Sequence, residues 1–127
     1  MILGIDLGKK TTGLAISTGT IASPLKTITH QSLGESVDII SKIADEEKIE
    51  KVILGYVEGK IKPYFQMFAQ KLKEKNPNLE IILWDETLTS RHATETMIKL
   101  QVPKLKRQKR QHEIAAALIL QSYLENV

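Results

Sequence analysis

Carboxylates at the ends of two apolar segments are the side chains of this sequence best suited to chemistry. Asp6 closes the run ILGID before a glycine turn, and Asp85 and Glu86 follow the apolar run LEIILW. A buried, unpaired carboxylate is costly, so it either pairs with a cation or holds one. Ligands gather at the ends of central strands in mixed α/β sheets, and two neighbouring strands would bring Asp6 within reach of Glu86.

Two carboxylates placed side by side repel each other unless a cation neutralises them. Mg²⁺ prefers such an all-oxygen environment, and two ions about 4 Å apart can hold the attacking and leaving oxygens of phosphodiester hydrolysis. The sequence therefore favours metal-dependent chemistry at Asp6 and Glu86. Asp85 could belong to this site or, equally, act as a cap for the segment that follows it.

A second feature is the uneven distribution of charge in a chain whose formal net charge is +3. The stretch between Glu95 and Glu113 contains no acidic residue. Its basic residues, called the basic segment below, are Lys99, Lys104, Lys106, Arg107, Lys109 and Arg110. Such a segment indicates an anionic partner, most simply a nucleic-acid backbone. The alternative is a solvated loop without a ligand.

Hydrophobic periodicity predicts the elements that must position these residues. Strands are expected over 1–6, 13–17, 20–29, 51–55 and 79–84, and helices over 36–47, 63–75, 89–100 and 111–125. The first two strands form an antiparallel hairpin, and Pro24 bends the third or places it at an edge. The order βββ-α-β-α-β-α-α predicts an α/β fold in which helices cover a mixed sheet.

Length and composition narrow the class of protein. The chain has 127 residues, of which 42% are hydrophobic and 26% charged, as expected for one soluble domain over 1–127. It has no cysteine, which excludes disulfides and thiolate metal sites. No apolar stretch approaches the ~20 residues of a membrane span, and no signal peptide is recognisable. We therefore expect a cytoplasmic protein with no membrane partner.

His30 has no ligand partner at useful spacing and is expected in a surface loop.

Five segments together resemble one known family. IDLGKKTTGLAIS, IASPLKTI, VILG, LWDETLTSRHA and IAAALILQSYL stand in the order and spacing of the YqgF/RuvX family, and the similarity covers nearly the whole chain. That family is described as Holliday junction resolvases and pre-16S ribosomal RNA nucleases with an RNase H-like fold. The resemblance implies three carboxylates that hold Mg²⁺ or Mn²⁺, the first at Asp6 and the second at Glu86.

The third carboxylate of the family pattern falls on His112, with Glu113 beside it. On a helix, these two residues flank the apolar face centred near Ala116, Leu120 and Tyr123, each roughly 50° from its centre. Helical geometry therefore does not choose between them. The alignment favours His112, whereas charge favours Glu113, because a neutral imidazole suits Mn²⁺ better than Mg²⁺. Our hypothesis is that Glu113 supplies the missing carboxylate; the competing hypothesis is a weakened site with altered metal preference.

The sequence also departs from the family at two positions where an arginine is common, Thr11 and Thr87. Arginine makes bidentate contacts with phosphate, which these residues cannot replace. The candidates to bind nucleic acid instead, as point charges, are Lys9, Lys10 and the part of the basic segment from Lys104 to Arg110.

The resemblance implies a metal-dependent endonuclease on structured nucleic acid, with processing of the 5′ end of pre-16S rRNA as the leading function. Cleavage of branched DNA at a Holliday junction is the alternative and would require a dimer; the sequence does not decide between monomer and homodimer. A non-catalytic nucleic-acid-binding module is a further alternative. A sugar-kinase or actin-like ATPase, which Asp6-Leu7-Gly8 also resembles, needs two such domains, more than 127 residues supply.

Overall fold

The computed structural model describes residues 1–57, 62–86 and 111–127, and within them it forms a mixed sheet with helices on both faces. The strands are β1 (Ile2–Asp6), β2 (Thr11–Ser17), β3 (Ser23–Thr29), β4 (Lys51–Tyr56) and β5 (Glu80–Asp85). The helices are α1 (Leu33–Glu46), α2 (Lys62–Lys75) and α3 (Gln111–Glu125). The helix expected over 89–100 lies outside the described residues.

The five described strands lie in the order β3-β2-β1-β4-β5, which puts β1 at the centre. β1 pairs antiparallel with β2 and parallel with β4, and β4 pairs parallel with β5. The predicted α/β class, the opening hairpin and the mixed sheet are therefore confirmed. β3 is an edge strand, as Pro24 predicted, since proline lacks the N–H that an inner strand must donate.

The central strands bury side chains on both faces because residues alternate along each strand. The face under α1 and α2 carries large aliphatic residues, among them Leu3, Ile5, Leu14, Val52 and Leu54, all buried. They pack with residues of α1 and α2 in one apolar core. We call this side the α1/α2 face.

The opposite side, the α3 face, is covered by a helix that approaches the sheet closely. A Cβ added to Gly4 would lie 2.7 Å from Cβ of Leu120 and 2.9 Å from the carbonyl oxygen of Ala116. Ala116, Leu120 and Tyr123 are buried, which confirms the predicted apolar side of this helix. The absence of a side chain at Gly4 therefore allows the backbone of α3 to pack closely against the sheet.

Polar contacts at both flanks of α3 add to this packing. The indole N–H of Trp84 donates to Oγ of Ser122 at 3.2 Å, and its ring meets that of Tyr123 edge-on at 5.5 Å. On the other flank, the amide of Ala22 donates to Oε1 of Gln121 at 2.8 Å. The helix is thus tied to β5 at one side and to the β2–β3 connection at the other.

The first helix begins three residues before its predicted start at 36. Ser32 is its N-cap and accepts a hydrogen bond from the amide of Glu35 at 3.1 Å, while a Glu35 carboxylate oxygen accepts from the amide of Gln31 at 3.2 Å. This arrangement resembles a capping box, which stabilises a helix start. No helix in the described part of the chain is long and apolar enough to cross a membrane.

Candidate active site

The carboxyl groups of Asp6 and Glu86 lie close enough to act on each other through charge and hydrogen bonding, and we call them the carboxyl pair. Asp6 ends β1, whereas Glu86 follows β5, so the two strands are separated by β4. The side chain of Glu86 crosses β4 at Gly55, the residue paired with Asp6. A Cβ on Gly55 would lie 3.2 Å from both Cγ and Oε1 of Glu86. The missing side chain therefore leaves the space through which Glu86 reaches Asp6.

A second glycine lies on the other side of Asp6. Gly13 of β2 is its antiparallel partner. A Cβ on Gly13 would lie 1.9 Å from the carbonyl oxygen of His112 and 2.7 Å from the amide nitrogen of Glu113. The first turn of α3 therefore rests directly on the strand beside Asp6. Sequence reasoning assigned no role to Gly13; a glycine inside a predicted strand, which often marks close backbone approach, was the available signal.

The electrostatics of the carboxyl pair favour a bound cation. Burial raises the pKa of Asp6, while the hydrogen bond with Glu86 and the charge of His112 oppose this rise. The pKa of Glu86 is raised to about 7 by burial, by the charge and hydrogen bond of Asp6, and by the charge of Asp85. Near neutral pH the raised pKa of Glu86 therefore favours retention of a proton on its carboxyl group. A cation that replaced this proton would relieve the repulsion between the two carboxylates.

The structure leaves the third ligand a prediction. His112 is half-buried and interacts electrostatically with Asp6, and Glu113 is 7% exposed in the first turn of α3. Across residues 1–57, 62–86 and 111–127, no three His, Asp or Glu side chains are grouped closely enough to hold a metal ion.

The two carboxylates fit a hard divalent cation. Their hydrogen-bonded oxygens and raised pKa values mark a place where positive charge stabilises the ionised form. Mg²⁺ is often held by only one or two carboxylates, together with water and substrate phosphates. A two-carboxylate site therefore suits magnesium bound along with a nucleic-acid phosphate.

Comparison with known proteins places the chain in a family. The model of the RuvX family, described as Holliday junction resolvase, matches residues 1–126. The chain belongs to the RuvX family.

Named relatives of this RuvX-family chain agree with that assignment. A protein of Clostridium botulinum (strain Alaska E43 / Type E3) is 35% identical over 133 residues, covering 99% of this chain and 97% of the relative. A protein of Aster yellows witches'-broom phytoplasma is 38% identical over 138 residues, covering 98% of this chain and 89% of the relative. Both carry the name "Putative pre-16S rRNA nuclease".

Solved structures show the same fold at low sequence identity. T. thermophilus RuvC in complex with a Holliday junction substrate has a TM-score of 0.61 at 11% identity, covering 98% of this chain and 94% of RuvC. The fowlpox virus Holliday junction resolvase has a TM-score of 0.60 at 17% identity, with 99% of both chains covered. The fold of the RuvX-family chain is thus the RNase H-like fold of these resolvases.

The predicted nucleic-acid contacts of the RuvX-family chain lie only in part within the described residues. Lys9 and Lys10, the loop lysines, are exposed in residues 7–10, which we call the β1–β2 loop. This loop directly follows Asp6. The basic segment lies outside the described residues, so its lysines and arginines stay predictions. The loop lysines are therefore the described basic side chains that follow Asp6 most closely in the chain.

The expectation for His30 is wrong. This residue is 1% exposed, and its Nε2 lies 2.7 Å from Oγ1 of the equally buried Thr12. His30 follows the end of the edge strand β3, whose partner β2 brings Thr12 alongside it. The cross-strand partner compensates for the burial of the imidazole, and one-dimensional spacing gives no sign of such a partner.

Proposed function

We propose that this protein is a metal-dependent endonuclease that cleaves structured RNA, with the 5′ end of pre-16S rRNA as its substrate. Its family and its relatives' names make it a hydrolase of phosphodiester bonds. The observation that supports the metal dependence is the carboxyl pair, two half-buried neighbouring acids whose pKa values are raised, so that a cation would stabilise their ionised forms.

The chain's own residues prepare the site for this reaction. Asp6 and Glu86 would hold the cation through their carboxylate oxygens, and the proton that Glu86 retains near neutral pH would pass to solvent. Gly13 and Gly55 keep the space around them free of side chains. A divalent ion bound there supplies Lewis-acid stabilisation of the phosphodiester oxygens and lowers the pKa of bound water. Glu113 is our candidate for the third carboxylate and His112 its alternative.

Substrate binding in this proposal depends on positive charge near the carboxyl pair. The loop lysines are exposed and would neutralise phosphates next to the cleaved bond. The basic segment would extend this contact along the backbone. Such contacts position a nucleic acid with little sequence preference, and they weaken steeply as salt increases. A nuclease of ribosomal RNA would act in the cytoplasm, and because one cut requires one site, this function does not depend on a homodimer.

Resolution of Holliday junctions is the second candidate, favoured by the family's description and by the fold shared with RuvC. A resolvase cuts two strands of one junction and so needs two copies of the site. A homodimer that cleaves a four-way DNA junction symmetrically would support this function over rRNA processing.

The test compares cleavage of two substrates by wild type and three variants. Wild type, Asp6→Asn and Glu86→Gln are incubated with a pre-16S 5′ RNA fragment and with a four-way DNA junction, with Mg²⁺, Mn²⁺ or EDTA. We expect RNA cleavage by wild type only, and only with a metal. Asp38→Asn, an equivalent change at an exposed acid that pairs with Lys75 on the other side of the sheet, is the matched control and keeps activity.

Two results would contradict the proposal. Unchanged cleavage by Asp6→Asn would place the reaction elsewhere. Wild type that binds RNA but never cuts it, under any metal condition, would leave the non-catalytic binding module as the better description.

A further inference from the structure

The β1–β2 loop is held by backbone hydrogen bonds to residues outside it. The hydroxyl of Tyr64 donates to the carbonyl oxygen of Gly8 at 3.3 Å. The amide of Gly8 in turn donates to Oγ1 of Thr12 at 3.4 Å, and the amide of His30 donates to the carbonyl oxygen of Lys10 at 2.9 Å. Tyr64 comes from the first turn of α2 and His30 from the end of β3, so distant parts of the chain converge on this loop.

The pair formed by Thr12 and His30 is unusual for a site that serves packing alone. Both side chains are buried, and Oγ1 and Nε2 are 2.7 Å apart. The other ring nitrogen of His30, Nδ1, has no hydrogen bond of good geometry among the described residues, although the Ser32 backbone lies close enough to influence its pKa. A buried polar atom in this state is costly, and an apolar side chain would fill the same volume without that cost.

The buried imidazole is a neutral hydrogen-bonding group. Burial lowers the pKa of His30 from its usual 6.5, against the opposing effects of Glu35 and the Ser32 backbone. In the neutral form one ring nitrogen donates and the other accepts, so Nε2 and the Thr12 hydroxyl can form one directed hydrogen bond. Through Thr12, this bond fixes the oxygen that receives the amide of Gly8.

We propose that Tyr64, Thr12 and His30, here the loop clamp, are positioning residues for nucleic-acid binding. They hold the β1–β2 loop, which directly follows Asp6 and carries the loop lysines, in one conformation. Thr12 and His30 are buried and so act through the loop, not by touching the substrate. A loop already ordered before binding loses less conformational freedom when a phosphate arrives, which increases affinity. This role rests on the proposed function, because it assigns the loop lysines to the substrate backbone.

The test measures RNA affinity separately from cleavage. Tyr64→Phe and Thr12→Val each remove one hydroxyl and keep the shape of the side chain. We expect each to raise the Kd for the pre-16S 5′ RNA fragment, measured by fluorescence anisotropy in EDTA, by about threefold to tenfold, the range for one lost hydrogen bond. Tyr123→Phe is the matched control: it removes a tyrosine hydroxyl bonded to Lys51, at the start of β4, and leaves the Kd unchanged.

A double-mutant cycle separates positioning from a general structural effect. In a Lys9→Ala/Lys10→Ala background, Tyr64→Phe is expected to change the Kd by less than about twofold, since its effect operates through those lysines. Tyr64→Phe and Tyr123→Phe each lose one hydrogen bond, so both should lower the melting temperature by a similar small amount.

The outcomes distinguish this proposal from the nuclease proposal. An unchanged Kd in Tyr64→Phe, or the same loss of affinity with and without the loop lysines, overturns the clamp. If wild type binds the RNA but does not cleave it, the nuclease proposal is contradicted. The loop clamp is still tested in that case, because its prediction concerns the Kd values alone. If Thr12→Val does not fold, Tyr64→Phe, whose side chain is half-buried, gives the answer alone.

Discussion

The two faces of the sheet use the same strands for different purposes. Toward α1 and α2, β1 and β4 present leucine, isoleucine and valine, which fill a large apolar core. Toward α3 they present Gly4, Asp6, Ile53 and Gly55, so this face combines close helix packing with a carboxylate at one end. The difference shows how one strand can supply stability through one set of alternate residues and chemistry through the other.

The largest loss of cleavage activity is expected from a substitution at Glu113, a carboxylate buried on the α3 face. If Glu113 completes the metal site, Glu113→Gln reduces cleavage to background, whereas His112→Ala has a mild effect. The measurement is Mg²⁺-dependent cleavage of the pre-16S 5′ RNA fragment, with circular dichroism to confirm folding. The reverse pattern would assign the third ligand to His112 and reject our hypothesis.

On the α1/α2 face we expect loss of stability without loss of chemistry. Leu54 is fully buried there, and Leu54→Ala should lower the free energy of unfolding by about 2–5 kcal/mol, from lost apolar contact and the cavity left behind. Urea unfolding measures this change. Cleavage per folded molecule should match wild type; a lower value would mean that this face also supports the carboxyl pair.

Gly13→Ala tests how closely α3 lies on the sheet. The added methyl would overlap the backbone of His112, which cannot rotate away as a side chain can. We expect the free energy of unfolding to fall by about 3 kcal/mol, the upper end for overpacking. Gly34→Ala in α1 is the matched control, because the nearest atom to its added Cβ is 4.0 Å away, and it should be neutral or slightly stabilising. Equal effects of the two changes would contradict the close approach.

Gly55→Ala should affect catalysis more than folding. Its methyl would lie 2.5 Å from Cδ1 of Ile119, which must move aside, and 3.2 Å from side-chain atoms of Glu86, which must shift by a few tenths of an ångström. Because catalytic geometry is sensitive to displacements of this size, cleavage should fall by about tenfold. Single-turnover kinetics with saturating enzyme measures the change. An unaltered rate would show that Glu86 reaches Asp6 by another path.

The smallest expected effect is a pH dependence of stability caused by the carboxyl pair. Glu86 has a pKa of about 7 in the folded protein against 4.5 normally, so the folded state retains a proton that the unfolded state has lost. The contribution of Glu86 to stability without metal therefore falls as pH rises from 4.5 to 7. Glu86→Gln should be more stable than wild type at pH 8 by about 1–2 kcal/mol after solvent screening, and equal to it at pH 4.

Urea unfolding at these two pH values checks this prediction. Addition of Mg²⁺ should stabilise wild type at pH 8 and leave Glu86→Gln less affected. If the stability advantage of Glu86→Gln over wild type in EDTA did not grow between pH 4.5 and 7, the raised pKa would be contradicted.

Sequence patterns predicted the parts of this fold that depend on local periodicity. The hairpin, the mixed sheet and the buried side of α3 follow from the spacing of apolar residues, and the closeness of Asp6 and Glu86 follows from their positions at strand ends. The capping box of Ser32 and Glu35 was also visible in the sequence, although the predicted start of α1 did not use it.

Features that depend on cross-strand partners were not predictable in the same way. Thr12 and His30 are far apart in the chain and meet only because β2 and β3 pair in one particular register. Gly13 resembles any glycine in a strand until α3 is placed above it. The third metal ligand was not predictable for a related reason, since His112 and Glu113 flank the apolar side of α3 at similar angles, and helical periodicity gives both an equal claim.

The lone tryptophan of the chain gives this molecule an intrinsic optical reporter. Trp84 is bonded to Ser122 and stands edge-on to Tyr123, two positions before Glu86. Its fluorescence emission should therefore change when α3 leaves the sheet, and also when the charge of Glu86 changes. Cation loading and helix docking could both be followed in real time, in solution, with no label attached.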